Sequence, residues 1–203
     1  MSTLLEIQAG TGAMIGRLPR LPPVAVAVEG YPPSVAVAAP RLRERGVQFV
    51  VTSQTDQALP LRSSCFEFVI SRHPVDVWWN EIARVLKPSG EYFAQHVGPD
   101  SLRGLSELLM GPLPTESRRD PTIERRAAEQ AGLEVRDIRV ERTRVAFADI
   151  GAVVYFLRLV PWIVPGFTVG TYVEQLRHLH ERIERDGAFE TTSSRMLVDA
   201  VKP

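Results

Sequence analysis

Short apolar segments typical of buried strands alternate along this sequence with segments whose apolar residues recur at helical spacing. The strand-type segments begin at Leu4, Val24, Val47 and Phe66, and each is short and apolar. Three more follow, in "EYFAQHV", "LEVRDIRVERTRVAF" and "RMLVDAVK". Such alternation is typical of a parallel sheet with helices on both faces. We therefore predict an α/β fold with a doubly wound, mainly parallel sheet of seven strands.

Capping residues, prolines and glycines mark the ends of the predicted helices. A helix over 34–46 would begin at a serine and end at a glycine, and Pro40 should kink or divide it. A second helix is predicted over 77–87, with Lys87 in its last turn. A third should lie between an aspartate at 120 and a glycine at 132. We also expect a helix to begin directly after the glycine loop that follows the first strand.

The segment 149–186 should form a helical insertion before the last strand of a single domain that covers residues 1–203. Its neighbourhood contains the most apolar stretch of the chain, residues 146–169. Charged residues and prolines interrupt that stretch, namely Asp149, Arg158, Pro161 and Pro165. The sequence therefore does not predict a membrane span there.

The charge balance and the single cysteine restrict the partners and the compartment that we expect. Lys plus Arg equals Asp plus Glu at 24 each, so no overall field favours nucleic acid or an anionic membrane. Cys65 cannot form an internal disulfide, and the start of the chain lacks the pattern of a secretory signal. We expect a cytoplasmic protein without a nucleic-acid or membrane partner.

A glycine loop follows the first strand in "LLEIQAGTG", and an acid ends the second strand. Gly10 and Gly12 permit close backbone approach to a ligand at the carboxyl edge of the sheet, where doubly wound folds bind their ligands. Glu29 stands where a carboxylate can accept hydrogen bonds from vicinal ribose hydroxyls. Together the two positions predict a site for a nucleoside-type ligand.

Four segments, in this order, resemble the class I S-adenosylmethionine-dependent methyltransferases, and in particular the small-molecule type. They are "LLEIQAGTG", "VEGYPPSVAVA", "ALPLRSSCFEFVIS" and "EIARVLKPSGEYFAQHV". The resemblance runs from residue 4 to about residue 100 and continues more loosely through the last two strands. It implies a Rossmann-like methyltransferase fold, S-adenosylmethionine as the cofactor, and methyl transfer as the activity.

The resemblance also implies a set of cofactor-binding residues at the carboxyl ends of the first four strands. Those expected at the methionine end and at the adenosine are Glu6, Gln8, Gly10, Gly12, Glu29, Tyr31 and Ser71. Those expected at the adenine are Thr55, Asp56 and Gln57, in an alignment that can slip by one residue.

The sequence departs from the family pattern at the first glycine of the loop, where Gln8 stands instead. Its side chain would swing away, hydrogen-bond the cofactor or occlude the pocket. Glu67 and Ser89 are milder departures from the usual aspartate and glycine. The resemblance also implies helices ahead of the first strand, roughly a few dozen residues that help to cover the cofactor. With almost none here, the site would be open, closed by a second copy in a homodimer, or completed by a partner.

Two histidines are candidates for a general base, which is needed only if the methyl acceptor must lose a proton. His73 follows the fourth strand and His96 ends the fifth, so both are expected at the carboxyl edge of the sheet. No metal site is expected, because His178 and His180 should fall on different faces of a helix.

The aromatic residues of the insertion favour a small apolar or aromatic molecule as acceptor, in secondary metabolism. A dimer interface or additional core would use the same residues equally well. The alternative to a methyltransferase is a degenerate fold that no longer methylates, serving as an assembly or binding subunit or as a cyclase or isomerase. An NAD-binding enzyme is less favoured, since Ile15 stands where the third glycine of its fingerprint would be.

Overall fold

A computed structural model of the chain describes residues 2–53, 58–114 and 119–203. Within these residues, seven strands form one sheet in the order β3-β2-β1-β4-β5-β7-β6. The strands are β1 Thr3–Ile7, β2 Val24–Glu29, β3 Gln48–Val51, β4 Phe66–Arg72, β5 Leu86–Val97, β6 Glu134–Phe147 and β7 Phe189–Val201. The doubly wound, mainly parallel sheet predicted from the sequence is confirmed.

Six α-helices connect these strands in the described residues. They are α1 Pro32–Arg43, α2 Trp79–Val85, α3 Arg103–Met110, α4 Pro121–Gln130, α5 Ile150–Leu159 and α6 Val173–Asp186. Both α5 and α6 fall within the segment 149–186. As predicted, Asp120 caps α4 by accepting a hydrogen bond from the Thr122 N–H, and Gly132 follows the helix with φ +89°.

The pairing of the strands fixes which loops meet at one edge of the sheet. β1 pairs in parallel with both β2 and β4, and β4 pairs in parallel with β5. The chain order reverses at β1, so the loops after β1, β2 and β4 lie at the carboxyl edge on either side of the switch point. β7 is antiparallel to β5, because Lys202 beyond its end exchanges backbone hydrogen bonds with Ser89 and Gly90 near the start of β5.

Of the two effects expected of Pro40, a kink or a division of the first helix, the division does not occur. α1 begins two residues earlier than predicted, at Pro32, and continues through Pro40 to Arg43. Pro32 occupies the first turn, where its fixed φ suits a helix and its missing N–H is not needed. Pro40 lies in the last turn, so only one hydrogen bond of the helix is lost there.

The helix that precedes β5 is shorter than predicted. α2 ends at Val85, and Leu86 and Lys87 already belong to β5. Leu86 has extended dihedrals, φ −66° and ψ 138°. Pro88 disfavours the helical region for the residue before it, which explains why Lys87 is extended rather than in a last helical turn.

The helix expected directly after the glycine loop is replaced by a single 3₁₀ turn, Ile15–Arg17. The sequence "LPRLPP" follows it at once, and its three prolines prevent the helix from continuing. The partial positive charge of a full helix N-terminus is therefore not available at this loop.

The chain packs as two compact units, residues 1–97 with 120–139 and 196–203, and residues 98–119 with 140–195. The first unit buries an apolar cluster beneath α1 and the 3₁₀ turn, which includes Leu4, Ile15, Leu42 and Ile70. The second unit buries the inner faces of α3, α5 and α6 around residues that include Leu105, Leu157 and Leu179. No helix in the described residues is long and apolar enough to cross a membrane.

Candidate active site

The loop after β1 and the acid that ends β2 are joined directly. One oxygen of the Glu29 carboxylate, Oε2, accepts the Gly10 N–H at 2.6 Å. The other, Oε1, accepts the N–H groups of Gly30 at 2.8 Å and Tyr31 at 2.7 Å. Glu29 is buried. The two positions that the sequence assigned to one nucleoside site therefore do meet at the carboxyl edge of the sheet.

A second carboxyl group, Glu6, lies beneath this loop. Its side chain is buried in β1, and its Oε2 accepts the Ile15 N–H at 3.1 Å. Burial raises the pKa of Glu6 from 4.5 to about 7, with the negative charge of Glu29 adding to the effect and the Ile15 N–H and Arg72 opposing it. Glu6 thus binds the backbone at the end of the glycine loop through Ile15. Its raised pKa means that the carboxyl group titrates near neutral pH.

The two loop glycines have different surroundings. Gly10 has φ +56°, and a Cβ added there would meet nothing within 4 Å. Gly12 has φ +70°, and a Cβ there would lie 2.7 Å from Leu42 of α1. Gly10 therefore faces open space, as a surface for a ligand should, whereas Gly12 is needed for the loop to pack on α1.

Gln8 turns away from the glycine loop and links it to the loop after β4. Its Nε2 donates to the Asp76 carbonyl at 2.7 Å, and its Oε1 accepts the Val75 N–H at 2.8 Å. The residue adopts φ +54°, in the left-handed region that favours glycine. Of the three placements considered from the sequence, the structure shows the side chain swung away from its own loop and bound to backbone groups of another.

Two neighbouring residues end β4 with opposite exposure. Ser71 is buried, and its Oγ has no hydrogen-bond partner among the described residues. Arg72 is exposed and close enough to Glu6 to lower the pKa of that carboxyl. A buried hydroxyl without a partner is uncommon in proteins, so Ser71 has hydrogen-bonding capacity for a ligand. Tyr31, 53% exposed at the start of α1, completes this edge on the β2 side.

His73 lies in the loop after β4, partly exposed, as the sequence predicted. Its backbone N–H donates to the Gln95 carbonyl at 2.7 Å, and its Nε2 lies 3.1 Å from Gln95 Oε1. The residue has φ +54°. Gln95 therefore orients the imidazole from both its backbone and its side chain.

His96 lies at the carboxyl edge of the sheet, as expected, but its side chain is not on the surface. Its ring is fully buried one residue before the end of β5, with Nε2 3.0 Å from the Tyr92 hydroxyl. Nδ1 lies 3.9 Å from Glu124 Oε1 of α4, and the ring of Trp79 packs at 6.0 Å between centroids. These contacts join β5 to α2 and α4.

A cavity of about 780 Å³ lies beside α2 and α4 rather than over the glycine loop. Its lining includes Glu81, whose carboxylate accepts from Arg84 at 2.5 Å and from the Leu59 N–H at 2.6 Å. The hydrogen bond from Arg84 lowers the pKa of Glu81. Among the described residues that line the cavity, Glu81 is the only charged one, and its carboxylate is paired. Thr55, Asp56 and Gln57, predicted at the adenine, lie outside the described residues.

The contacts of Gln8 and His96 were missed from the sequence for different reasons. The partners of Gln8 are backbone groups 67 and 68 residues away, so no residue pattern could have revealed them. Tyr92 and His96 share one face of a strand because their separation is even, and that period was available in "EYFAQHV". In the structure Tyr92 and His96 are buried and Phe93, on the other face of the strand, is exposed.

The comparison with known proteins agrees with this geometry. A family model described as a methyltransferase domain matches residues 5–94, the part of the chain that contains the glycine loop, Glu29 and the β4 edge. The match covers residues 5–94 of a chain of 203, and together with the topology of the sheet it indicates a methyltransferase-like domain with a Rossmann-like fold. Among curated proteins none matches the sequence significantly.

Three solved structures illustrate the likeness of fold. A putative methyltransferase from Bacillus halodurans is 14% identical, with 99% of this chain and 92% of that chain covered and a TM-score of 0.68. The [4+2]-cyclase SpnF is 19% identical, and its match has a TM-score of 0.60. That match covers 100% of this chain and 74% of SpnF. Geranyl diphosphate C-methyltransferase from Streptomyces coelicolor A3(2) is 16% identical, and its match has a TM-score of 0.58. That match covers 100% of this chain and 71% of the methyltransferase chain. At these identities the likeness concerns the fold.

Proposed function

We propose that this protein transfers the methyl group of S-adenosylmethionine to a small apolar or aromatic molecule in secondary metabolism. The observation that carries the proposal is the 2.6 Å hydrogen bond from the Gly10 N–H to Glu29 Oε2. It joins the loop and the acid that the methyltransferase family uses for one cofactor, in a chain whose residues 5–94 match that family.

The carboxylate of Glu29 is the expected contact for the cofactor ribose. A carboxylate has about four lone-pair positions, and three backbone N–H groups already occupy Glu29. One lone-pair position of the carboxylate therefore remains, whereas the two ribose hydroxyls need two. The Gly10 N–H is the group to be displaced, because Gly30 and Tyr31 share the other oxygen and belong to the same turn as Glu29. The amide of Gly10 is then available to the ligand.

The remaining residues of the edge suit the other end of the cofactor. Gly10 faces open space, the buried Ser71 hydroxyl has capacity for a hydrogen bond, and Arg72 offers a positive charge for a carboxylate. Gln8 bonds backbone groups of the neighbouring loop, so its amide oxygen and nitrogen are engaged away from Glu29. These residues fit a ligand with a ribose at one end and an amino acid at the other.

When bound, S-adenosylmethionine supplies an electrophilic methyl group that an acceptor takes by in-line displacement. The leaving sulfur needs no acid, so the task of the protein is alignment. Where the acceptor carries a proton, the imidazole of His73 is the candidate to remove it, held in place by Gln95. The ring of His96, the other candidate, is buried and contacts Tyr92 and Trp79.

The apolar class of the acceptor is supported by the aromatic residues of 149–186 and by one of the similar structures, which acts on geranyl diphosphate. An acceptor screen should therefore begin with apolar and aromatic hydroxyl or amine compounds.

Calorimetry with S-adenosylhomocysteine tests the proposal directly. We expect saturable binding to the wild type, and a loss of at least tenfold in affinity for Glu29→Ala, since both ribose hydroxyls lose their acceptor. Glu44→Gln, at an exposed acid beyond the end of α1, is the matched control and should bind like the wild type. No binding at millimolar ligand by a folded wild type would refute the proposal.

One observation bears on the alternative of a domain that no longer methylates, namely the link from Gln8 to the loop after β4. If that link closes the site, Gln8→Gly will bind S-adenosylhomocysteine while the wild type does not. If the wild type binds and Gln8→Gly does not improve it, the link is part of a working site and this alternative is rejected.

A further inference from the structure

α5 and the turn after it present three large apolar side chains to solvent. Tyr155 is 67% exposed, Leu159 is 59% exposed and Trp162 is 65% exposed. Tyr155 and Leu159 lie one helical turn apart on the same side of α5. Trp162 follows three residues later, in a turn closed by the Ile163 N–H donating to the Val160 carbonyl at 3.1 Å. We call these three residues the α5 surface.

The exposure of the α5 surface is not a result of loose packing in this unit. The opposite side of the same segment is fully used, with Val153, Leu157 and Val164 buried against Leu179 and Ile183 of α6. The outward side chains are therefore not needed for the core. Several large apolar side chains exposed within eight residues of one another are uncommon on soluble domains and indicate an interaction site.

The charge of this segment is as unusual as its exposure. From residue 150 to residue 173, Arg158 is the only charged side chain, although charged residues make up 24% of the whole chain. Arg158 is itself exposed, next to Leu159 in sequence. Two further apolar residues of the segment, Val169 and Val173, are 41% and 45% exposed. Residues 150–173, which Asp149 and Glu174 flank, thus combine exposed tyrosine, tryptophan and leucine with one positive charge and no negative charge.

We infer that the α5 surface docks on the headgroup region of an anionic lipid bilayer. Tyr and Trp favour that region because each has an apolar ring and a polar atom. An arginine beside them attracts anionic headgroups. α5 has only ten residues, so it would lie on the bilayer and not cross it. The charge balance that argued against a membrane partner describes the whole chain and not this segment.

A second copy of the chain is a less suitable occupant. In a twofold interface centred on this surface, Arg158 of each copy would lie near Arg158 of the other. There is no acid between residues 150 and 173 to compensate that repulsion, and the acids at the two ends, Asp149 and Glu174, are engaged with the Ala152 N–H and with Arg177. An anionic lipid surface has the complementary charge and requires no such compensation.

Vesicle binding by the full chain tests the inference, with Trp162 as a reporter. Of the three tryptophans, Trp78 and Trp79 are buried and Trp162 is exposed. Vesicles of phosphatidylcholine with phosphatidylglycerol should co-sediment the protein and shift its emission to shorter wavelength. Trp162→Phe should still co-sediment but lose the shift, which would locate the contact.

Variants distinguish binding through the α5 surface from nonspecific adsorption to vesicles. Y155S/L159S/W162S should reduce vesicle binding at least tenfold, and Arg158→Gln should reduce binding to the anionic vesicles roughly fivefold, with little effect on phosphatidylcholine alone. The control V37S/I123S alters exposed apolar residues of α1 and α4, 52% and 57% exposed, and should bind like the wild type. Thermal unfolding should show that all variants remain folded.

Absence of binding to both kinds of vesicle by the folded wild type would overturn the inference. So would equal losses in the control and in the triple variant. A dimer in sedimentation equilibrium that the triple variant converts to a monomer, without vesicle binding, would show that a second copy covers the surface instead. These outcomes are independent of cofactor binding, so they do not depend on the proposed methyltransferase activity.

Discussion

Glu6 provides a quantitative test of the electrostatics beneath the glycine loop. Its side chain is 1% exposed, and burial is the largest cause of a pKa raised from 4.5 to about 7. A shift of this size corresponds to about 3 kcal/mol of free energy between the protonated and the charged carboxyl. The perturbation that isolates this effect is Glu6→Gln, whose amide oxygen can still accept the Ile15 N–H.

The sign of the effect follows from proton binding. Between pH 4.5 and about 7 the folded chain holds a proton on Glu6 that the unfolded chain has released. The contribution of Glu6 to the free energy of unfolding is therefore complete below pH 4.5 and is lost as the pH rises to about 7. Glu6→Gln does not titrate. Relative to the wild type, we expect the variant to gain about 3 kcal/mol of stability between about pH 4 and about pH 8.

Urea unfolding of both proteins at several pH values measures this difference, since the titration of groups that do not interact with Glu6 cancels in the subtraction. Glu44→Gln, at an exposed acid, should give a difference that changes little with pH. A difference between Glu6→Gln and the wild type that is constant across the range would refute the reasoning, because it would mean that Glu6 titrates alike in the folded and unfolded chains.

Two further predictions concern packing. Gly12→Ala should destabilise the protein by about 2 kcal/mol or more in urea unfolding, because the added Cβ would lie 2.7 Å from Leu42. Gly10→Ala should cost only the backbone strain of about 1 kcal/mol, because its Cβ would meet nothing within 4 Å. Equal losses of stability in the two variants would contradict this prediction. Tyr92→Phe should lower the free energy of unfolding by about 1–2 kcal/mol by removing the hydroxyl at His96 Nε2, and should leave affinity for S-adenosylhomocysteine unchanged. A large loss of affinity would instead connect this buried cluster to the site.

The sheet was predictable because its strands are short apolar runs separated by turn residues, and because periodicity is a local property. The meeting of Gly10 and Glu29 was predictable for a related reason. Parallel pairing of β1 with β2 brings the two carboxyl ends to one edge, whatever the side chains between them. The start of α1 was misjudged because Pro32, in the sequence "GYPPS", supports a helix start as well as Ser34 does.

The details of the site depend on contacts between distant residues, which local patterns do not contain. Gln8 occupies a loop position where the family pattern has a glycine. Only the tertiary structure shows that its side-chain amide binds the Asp76 carbonyl. His96 was placed at an edge from its position at the end of a strand, but the packing of Trp79 and of Glu124 from α4 determines that it is buried. In both cases the backbone position was right, and the direction of the side chain required the fold.

The link made by Gln8 has a consequence for how this protein can vary among its descendants. Both partners of the amide are main-chain groups, the Asp76 carbonyl and the Val75 N–H, which every residue except proline provides in full. Substitution at 75 or 76 by other residues therefore leaves the link intact, and purifying selection on it should act almost entirely on one codon, that of Gln8.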